Sequence, residues 1–189
     1  MKILFYGDSN TWGYDPRSYF GAQYPPHHRW VDMVAQKLDC DAVNEGENGR
    51  EIPRREAEFL RFKLMLAARA PFDLLVVMLG SNDLLQGNSA QTVAIRMEAF
   101  LERIDLDKQK ILLIAPPLMK QGEWVTTQDL IDASHELGPE YEGLSSRLGV
   151  GFLDAGRWNI PLTFDGVHFT EEGHEAFAEG LTNYLNKGE

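Results

Sequence analysis

The chain has 189 residues, 43% of them hydrophobic and 25% charged, enough for one core that buries roughly 70% of the surface an unfolded chain would expose. Its single cysteine, Cys40, excludes an internal disulfide framework. The 18 Lys+Arg against 29 Asp+Glu leave a formal charge of −11, which repels phosphate backbones and anionic lipid surfaces and excludes nucleic acid as an expected partner.

Short apolar runs at 2–6, 41–44, 72–79, 110–115 and 150–154 alternate with helical patterns, which reads as βαβ units around a five-stranded, parallel sheet. No run approaches the ~20 apolar residues of a membrane span. The first run meets polar Gly7-Asp8-Ser9-Asn10 too soon for a signal-peptide core, so the expectation is a cytoplasmic protein without membrane attachment. Next in order, Trp30, Val34 and Leu38 repeat at helical spacing. Pro53 suits the first turn of a helix over 50–70. Val93, Met97, Phe100, Leu101 and Ile104 make another amphipathic face. Thr126 or Thr127 caps a helix expected to break near Gly138-Pro139. Thr170 caps a last helix running to about Leu185, with Phe177, Leu181 and Tyr184 inward. Neither an internal repeat nor a linker interrupts the chain, which predicts one domain over residues 1–189.

Ligands of open parallel sheets bind beyond the carboxyl ends of the strands. There the sequence places Gly7-Asp8-Ser9-Asn10, then Glu45-Gly46-Glu47-Asn48-Gly49, then Gly80-Ser81-Asn82-Asp83, and last Asp165-Gly166-Val167-His168. These residue types suit acyl transfer. A serine hydroxyl is a weak nucleophile that needs an imidazole to take its proton and a carboxylate to fix the imidazole's tautomer. Ser9, His168 and Asp165 meet that need, the last two at a spacing that brings a carboxylate against Nδ1. The Ser9 and Gly49 N–H groups and the Asn82 amide are donors for an oxyanion. Each motif alone is a common turn. All of them in order, each at a strand end, is a coincidence on the order of one chain in a thousand.

At these residues the chain resembles the GDSL or SGNH hydrolase superfamily, named for the serine, glycine, asparagine and histidine of four sequence blocks. Gly7-Asp8-Ser9-Asn10-Thr11-Trp12-Gly13, Met78-Leu79-Gly80-Ser81-Asn82-Asp83, Ala115-Pro116-Pro117 and Asp165-Gly166-Val167-His168-Phe169-Thr170 are similar to its arylesterase and acyltransferase-like branch. The resemblance implies a flavodoxin-like three-layer α/β/α sandwich. It also implies Ser9 as nucleophile, His168 as general base and acid, Asp165 as orienting carboxylate, and Ser9, Gly49 and Asn82 as oxyanion donors. Gly46 is the other candidate in the second block; Gly49 is favoured because it lies five residues past Asn44, the family's usual spacing. Asn10 departs from the leucine of the named motif.

The implied activity is a cofactor-free and metal-free serine esterase acting on small carboxylic esters, with the carbohydrate O-acetyl esterases next and thioesterases or lysophospholipases after them. Relatives in this branch oligomerise, so a homo-oligomer is expected too. The competing reading is a non-catalytic nucleotide or flavin site, against which stand Asp8, Asp83 and Asp165 at the same edge and the lack of a phosphate-binding glycine motif. Trp12 and Val167, which flank the catalytic positions, are the expected substrate contacts, ahead of Trp124, Phe152 and Phe164. His27-His28 reads as a solvated loop and His174 as a surface residue of the last helix.

Overall fold

The computed structural model describes residues 1–18 and 20–186; residue 19 and residues 187–189 of the expected domain lie outside the described residues. Five strands, β1 (Lys2–Gly7), β2 (Asp41–Gly46), β3 (Leu74–Met78), β4 (Ile111–Ala115) and β5 (Gly151–Asp154), form one sheet in the order β2-β1-β3-β4-β5. Every neighbouring pair is parallel. This is the flavodoxin-like order, and the chain reverses its direction of winding between β1 and β3. The registers Gly7↔Gly46 and Gly7↔Met78 bring three strand ends level at that switch point.

Central strands are covered on both faces and so carry unbroken apolar runs. Leu4, Tyr6, Leu75, Val77, Ile111 and Leu113 face one core, closed by α3 (Glu56–Arg69), α5 (Ala90–Glu102) and α6 (Gln128–Leu148). Ile3, Phe5, Val76, Met78, Leu112 and Ile114 face the other, closed by α2 (Trp30–Leu38) and α7 (Glu171–Asn186). Burying each large side chain of this kind contributes roughly 1.5–3 kcal/mol. Two short helices start at strand ends: α1 (Ser9–Trp12) follows β1 and α4 (Ser81–Leu85) follows β3. Among the described residues no helix is long and apolar enough to cross a membrane.

Four details depart from the sequence reading. The helix expected to break at Gly138-Pro139 runs unbroken through Pro139 as α6. An interior proline costs about 3 kcal/mol, but Leu137, Tyr141 and Leu144 bury one face of α6, and the Tyr141 hydroxyl donates to the Leu79 carbonyl at 3.0 Å. Pro53 lies before α3 rather than in its first turn, because the Ile52 N–H is held by Asp83 Oδ2 at 3.0 Å. The helix then starts at Glu56, where Glu58 accepts from the Arg54 and Arg55 N–H groups. Tyr184 is exposed, since its ring lies along the surface while its hydroxyl donates to the Phe152 carbonyl. His174 is buried at 1% exposure among Tyr24, Phe169 and Trp30 instead of lying on the surface, because α7 turns that face onto α2.

Candidate active site

The turn that carries Ser9 is built by the end of β1. Asp8 caps α1, its Oδ1 accepting from the Asn10 N–H at 3.0 Å. Ser9 is thereby the first helical residue, so its N–H has no intrahelical acceptor. Asp8 is almost wholly buried. That burial pushes its carboxyl up to about 6 against the opposing pull of the Asn10 N–H and of nearby His168 and Arg50.

Across the switch point, residues 161–170 fold back on themselves: the Thr163 N–H donates to the His168 carbonyl and the Gly166 N–H to that of Thr163. This tight turn presents Asp165 and His168 to α1. Ser9 Oγ lies 2.9 Å from His168 Nε2, and His168 Nδ1 lies 2.7 Å from Asp165 Oδ2. The second Asp165 oxygen accepts the Val167 and His168 N–H groups, both at 2.9 Å. Burial raises the Asp165 carboxyl, but the bonds from the His168 ring and from the two N–H groups outweigh it and hold the acid at about 2. The carboxylate therefore stays ionised at neutral pH and keeps the Nδ1 proton in place, leaving Nε2 to accept from the serine hydroxyl.

The second and third blocks meet beside this series. Asn82 is half-buried in α4, and its Nδ2 donates to the Arg50 carbonyl at 3.0 Å, which leaves the second amide N–H for another acceptor. Asp83, wholly buried, takes the Ile52 N–H on one oxygen and Arg96 at 3.1 Å on the other. Residues 50–52 are thus hung from 82–83. Arg50 stacks over the Tyr6 ring with its guanidinium 4.2 Å from the ring centre and donates to the Gly7 and Glu45 carbonyls, which holds the intervening turn.

The two candidate glycines now differ. The Gly46 N–H is taken by Asn44 Oδ1 at 2.9 Å, and a Cβ at Gly46 would sit 2.2 Å from the Trp12 nitrogen. Gly49 is exposed, has φ +72°, and would have nothing within 4 Å of an added Cβ; its N–H has no acceptor among the described residues. A left-handed residue with an open N–H is a position suited to glycine.

The expected pocket residues divide. Trp12 is half-buried at the end of α1, 6.5 Å from the Tyr14 ring, and Val167 is buried within the core. Trp124 stands edge-on to the His168 ring at 4.9 Å, carried by a loop whose Trp124 N–H donates to the Asp165 carbonyl. Phe164 is exposed and Phe152 packs on the core. Sequence reasoning missed Tyr14, whose ring lies 4.8 Å from that of His168, and the tethering roles of Asn10, Arg50 and Asp83. A lone tyrosine after a glycine carries no pattern; for Asp83 the signal was its place beside Asn82.

A three-layer parallel α/β protein with serine, imidazole and carboxylate in hydrogen-bonded series at its switch point is a recognisable class. The GDSL-like lipase/acylhydrolase family model matches residues 5–176, so the chain belongs to that family and is an ester-hydrolysing enzyme. Among solved structures it is similar to the aryl esterase of M. smegmatis, at 25% identity and a TM-score of 0.84 with 98% of each chain covered. A carbohydrate acetylesterase family member from Sinorhizobium meliloti aligns at 27% identity and a TM-score of 0.81, covering 98% of this chain and 97% of that one. A lipase/acylhydrolase from Enterococcus faecalis, at 22% identity and a TM-score of 0.76 over 97% of this chain and 94% of that one, shares the fold. No curated protein matches the sequence.

Proposed function

We propose that this protein is a cofactor-independent serine esterase, built as a single domain, that hydrolyses short-acyl carboxylic esters through an acyl-enzyme. The observation that carries the reading is the hydrogen-bonded series Ser9 Oγ, His168 Nε2, His168 Nδ1 and Asp165 Oδ2, at 2.9 and 2.7 Å.

In the first half-reaction the Ser9 hydroxyl attacks the ester carbonyl as its proton passes to His168 Nε2. Asp165, held ionised, stabilises the imidazolium that forms and keeps the ring oriented. The Ser9 and Gly49 N–H groups and the free Asn82 amide N–H receive the tetrahedral oxyanion. His168 then gives the proton to the leaving alkoxide, which departs as the alcohol. In the second half-reaction water attacks the acyl-serine while His168 takes its proton, and collapse releases the acid with the proton returned to Ser9 Oγ. Trp124 and Tyr14 border the His168 ring, Trp12 stands beyond Tyr14, and Val167 backs the site from the core. Cytoplasmic residence is part of the reading, supported by Cys40 standing without a disulfide partner.

A second reading, removal of acetyl groups from a carbohydrate, is favoured by one observation. A cavity of about 340 Å³ meets the site at Gly49 and Arg50, beside the triad rather than around it, and is walled by Glu47, Glu51, Arg54 and Arg61 together with Tyr6, Phe62 and Met65. The carboxylate and guanidinium groups offer acceptors and donors for the hydroxyls of a sugar leaving group, which an aryl alcohol lacks. The test is hydrolysis of p-nitrophenyl acetate, butyrate and octanoate, and of a peracetylated monosaccharide, by wild type and Ser9→Ala prepared identically. Acetate turnover that vanishes in Ser9→Ala and declines with acyl length is expected. Turnover that survives in Ser9→Ala would overturn the assignment, and faster release of acetate from the sugar than from the aryl ester would select the second reading.

A further inference from the structure

Asn10 follows the nucleophile directly, and its side chain is buried and turned away from any substrate position, toward the loop that carries the general base. Nδ2 donates to the Val167 carbonyl at 3.1 Å, and Oδ1 accepts from the Phe169 N–H at 3.0 Å. Those two backbone groups bracket His168. One amide side chain therefore meets the loop as a neighbouring strand's peptide would, with one donor and one acceptor bond on either side of the catalytic imidazole.

Other bonds make this grip rigid at its own end. The Asn10 N–H is held by Asp8 Oδ1 and the Asn10 carbonyl accepts from Trp30 Nε1 at 2.8 Å. The backbone of the loop is spoken for elsewhere too: the His168 N–H by Asp165, the His168 carbonyl by Thr163 and the Phe169 carbonyl by the Tyr24 hydroxyl. Among the described residues, the hydrogen bonds between α1 and residues 165–169 are those two and the Ser9–His168 contact itself. Leucine, which the named motif carries at this position, can make neither bond.

We infer that Asn10 is a positioning residue that sets the separation of Ser9 Oγ and His168 Nε2 by clasping the backbone on both sides of His168. The inference rests on the serine esterase reading above. A displacement of about 1 Å between nucleophile and base is enough to cost on the order of 10²-fold in rate. Loosening the clasp should therefore lower kcat while substrate binding, made by other groups, holds KM.

Asn10→Asp gives the sharper test, because its chemistry depends on protonation. A neutral carboxylic acid is nearly isosteric with the amide and reproduces both bonds, its O–H donating to the Val167 carbonyl and its C=O accepting from the Phe169 N–H. The carboxylate sets a bare oxygen against that carbonyl and breaks one of them. Wild type, Asn10→Leu and Asn10→Asp are titrated with a fluorophosphonate to count reactive serines, and p-nitrophenyl acetate kinetics are then expressed per titrated site between pH 5 and 9. Asn10→Leu should lose about 10–10²-fold in kcat with KM changed by less than about threefold. The ratio of Asn10→Asp to wild-type kcat should climb at least severalfold as pH falls. A role confined to stability would alter the number of titrated sites or the melting temperature and leave kcat per site alone. The inference is overturned if both variants turn over at the wild-type rate per site, or if the Asn10→Asp ratio does not vary with pH; Asn10→Asp carries the test alone if Asn10→Leu does not fold. Absence of fluorophosphonate labelling at Ser9 in wild type would instead sink the esterase reading beneath it, and the clasp with it.

Discussion

Two imidazoles six residues apart, His168 and His174, are buried to nearly the same degree, at 2% and 1% exposure. Their surroundings differ. His168 lies between an ionised carboxylate and a serine hydroxyl and is bordered by the Tyr14 and Trp124 rings, so both its nitrogens are engaged. His174 packs among Tyr24, Phe169 and Trp30, accepts one long bond of 3.4 Å from the Trp30 N–H, and leaves Nε2 without a partner among the described residues. Burial, followed by the nearby Arg29, His168 and His28, pushes the His174 imidazole down to about 3. Burial thus makes a neutral spacer of one ring. The other is set by its carboxylate partner, whose charge the bond from that ring and the loop's own N–H groups maintain, in the geometry the proposed reading asks of a base. Solvent exclusion alone is a poor guide to which histidine does chemistry.

The largest test of this contrast is activity. His168→Ala should lower kcat on p-nitrophenyl acetate by roughly 10³-fold or more, whereas His174→Phe should stay within about threefold of wild type; equal losses would erase the distinction. Next, Asn82→Ala should lose roughly 10²–10³-fold, the usual cost of one oxyanion donor, with the melting temperature lowered modestly by loss of its bond to the Arg50 carbonyl. Full activity in that variant would remove Asn82 from the oxyanion site while leaving the triad in place.

Stability against pH separates the rings further. The folded His174 acid lies below its ordinary value of 6.5, at about 3, so the unfolded chain binds the extra proton. The stability it protects is full above pH 6.5 and is lost as pH falls toward 3, by up to a few kcal/mol at about 1.36 kcal/mol per pKa unit. His174→Phe should flatten the acid limb of urea midpoints measured across that window, and an unaltered slope would contradict it. Asp8 acts with the opposite sign. Its folded value near 6 exceeds the ordinary 3.8, so ionising it disfavours the fold as pH rises through that interval. Asp8→Asn should be more stable than wild type above pH 6 by about 1–3 kcal/mol, with the gain gone below pH 4, as denaturation midpoints at pH 7.5 and 4 would show.

The sequence by itself determined the number of strands and their parallel sense, because short apolar runs alternate with stretches of 3.6-residue period, while the flavodoxin-like winding entered only with the family resemblance. It also placed the candidate chemistry, since Ser9, Gly49, Asn82, Asp165 and His168 each follow a strand or precede a helix, where turn residues with reactive side chains stand out from an apolar background. Tertiary packing decided the rest. Pro139 reads as a helix breaker, yet α6 continues because buried Leu137, Tyr141 and Leu144 outweigh one missing hydrogen bond. Pro53 reads as a helix start, yet Asp83, 31 positions beyond Ile52, takes the N–H of that preceding residue. That the Gly46 N–H is taken by Asn44 while the Gly49 N–H stays open was visible only in the fold, and His174 went inside because α7 met α2 on that face. Asn10 gave no local signal of a clasp, since its partners at 167 and 169 lie more than 150 positions away in sequence. Local pattern reports what each residue prefers over one or two turns of chain, and these outcomes rested on partners that only folding brings within reach.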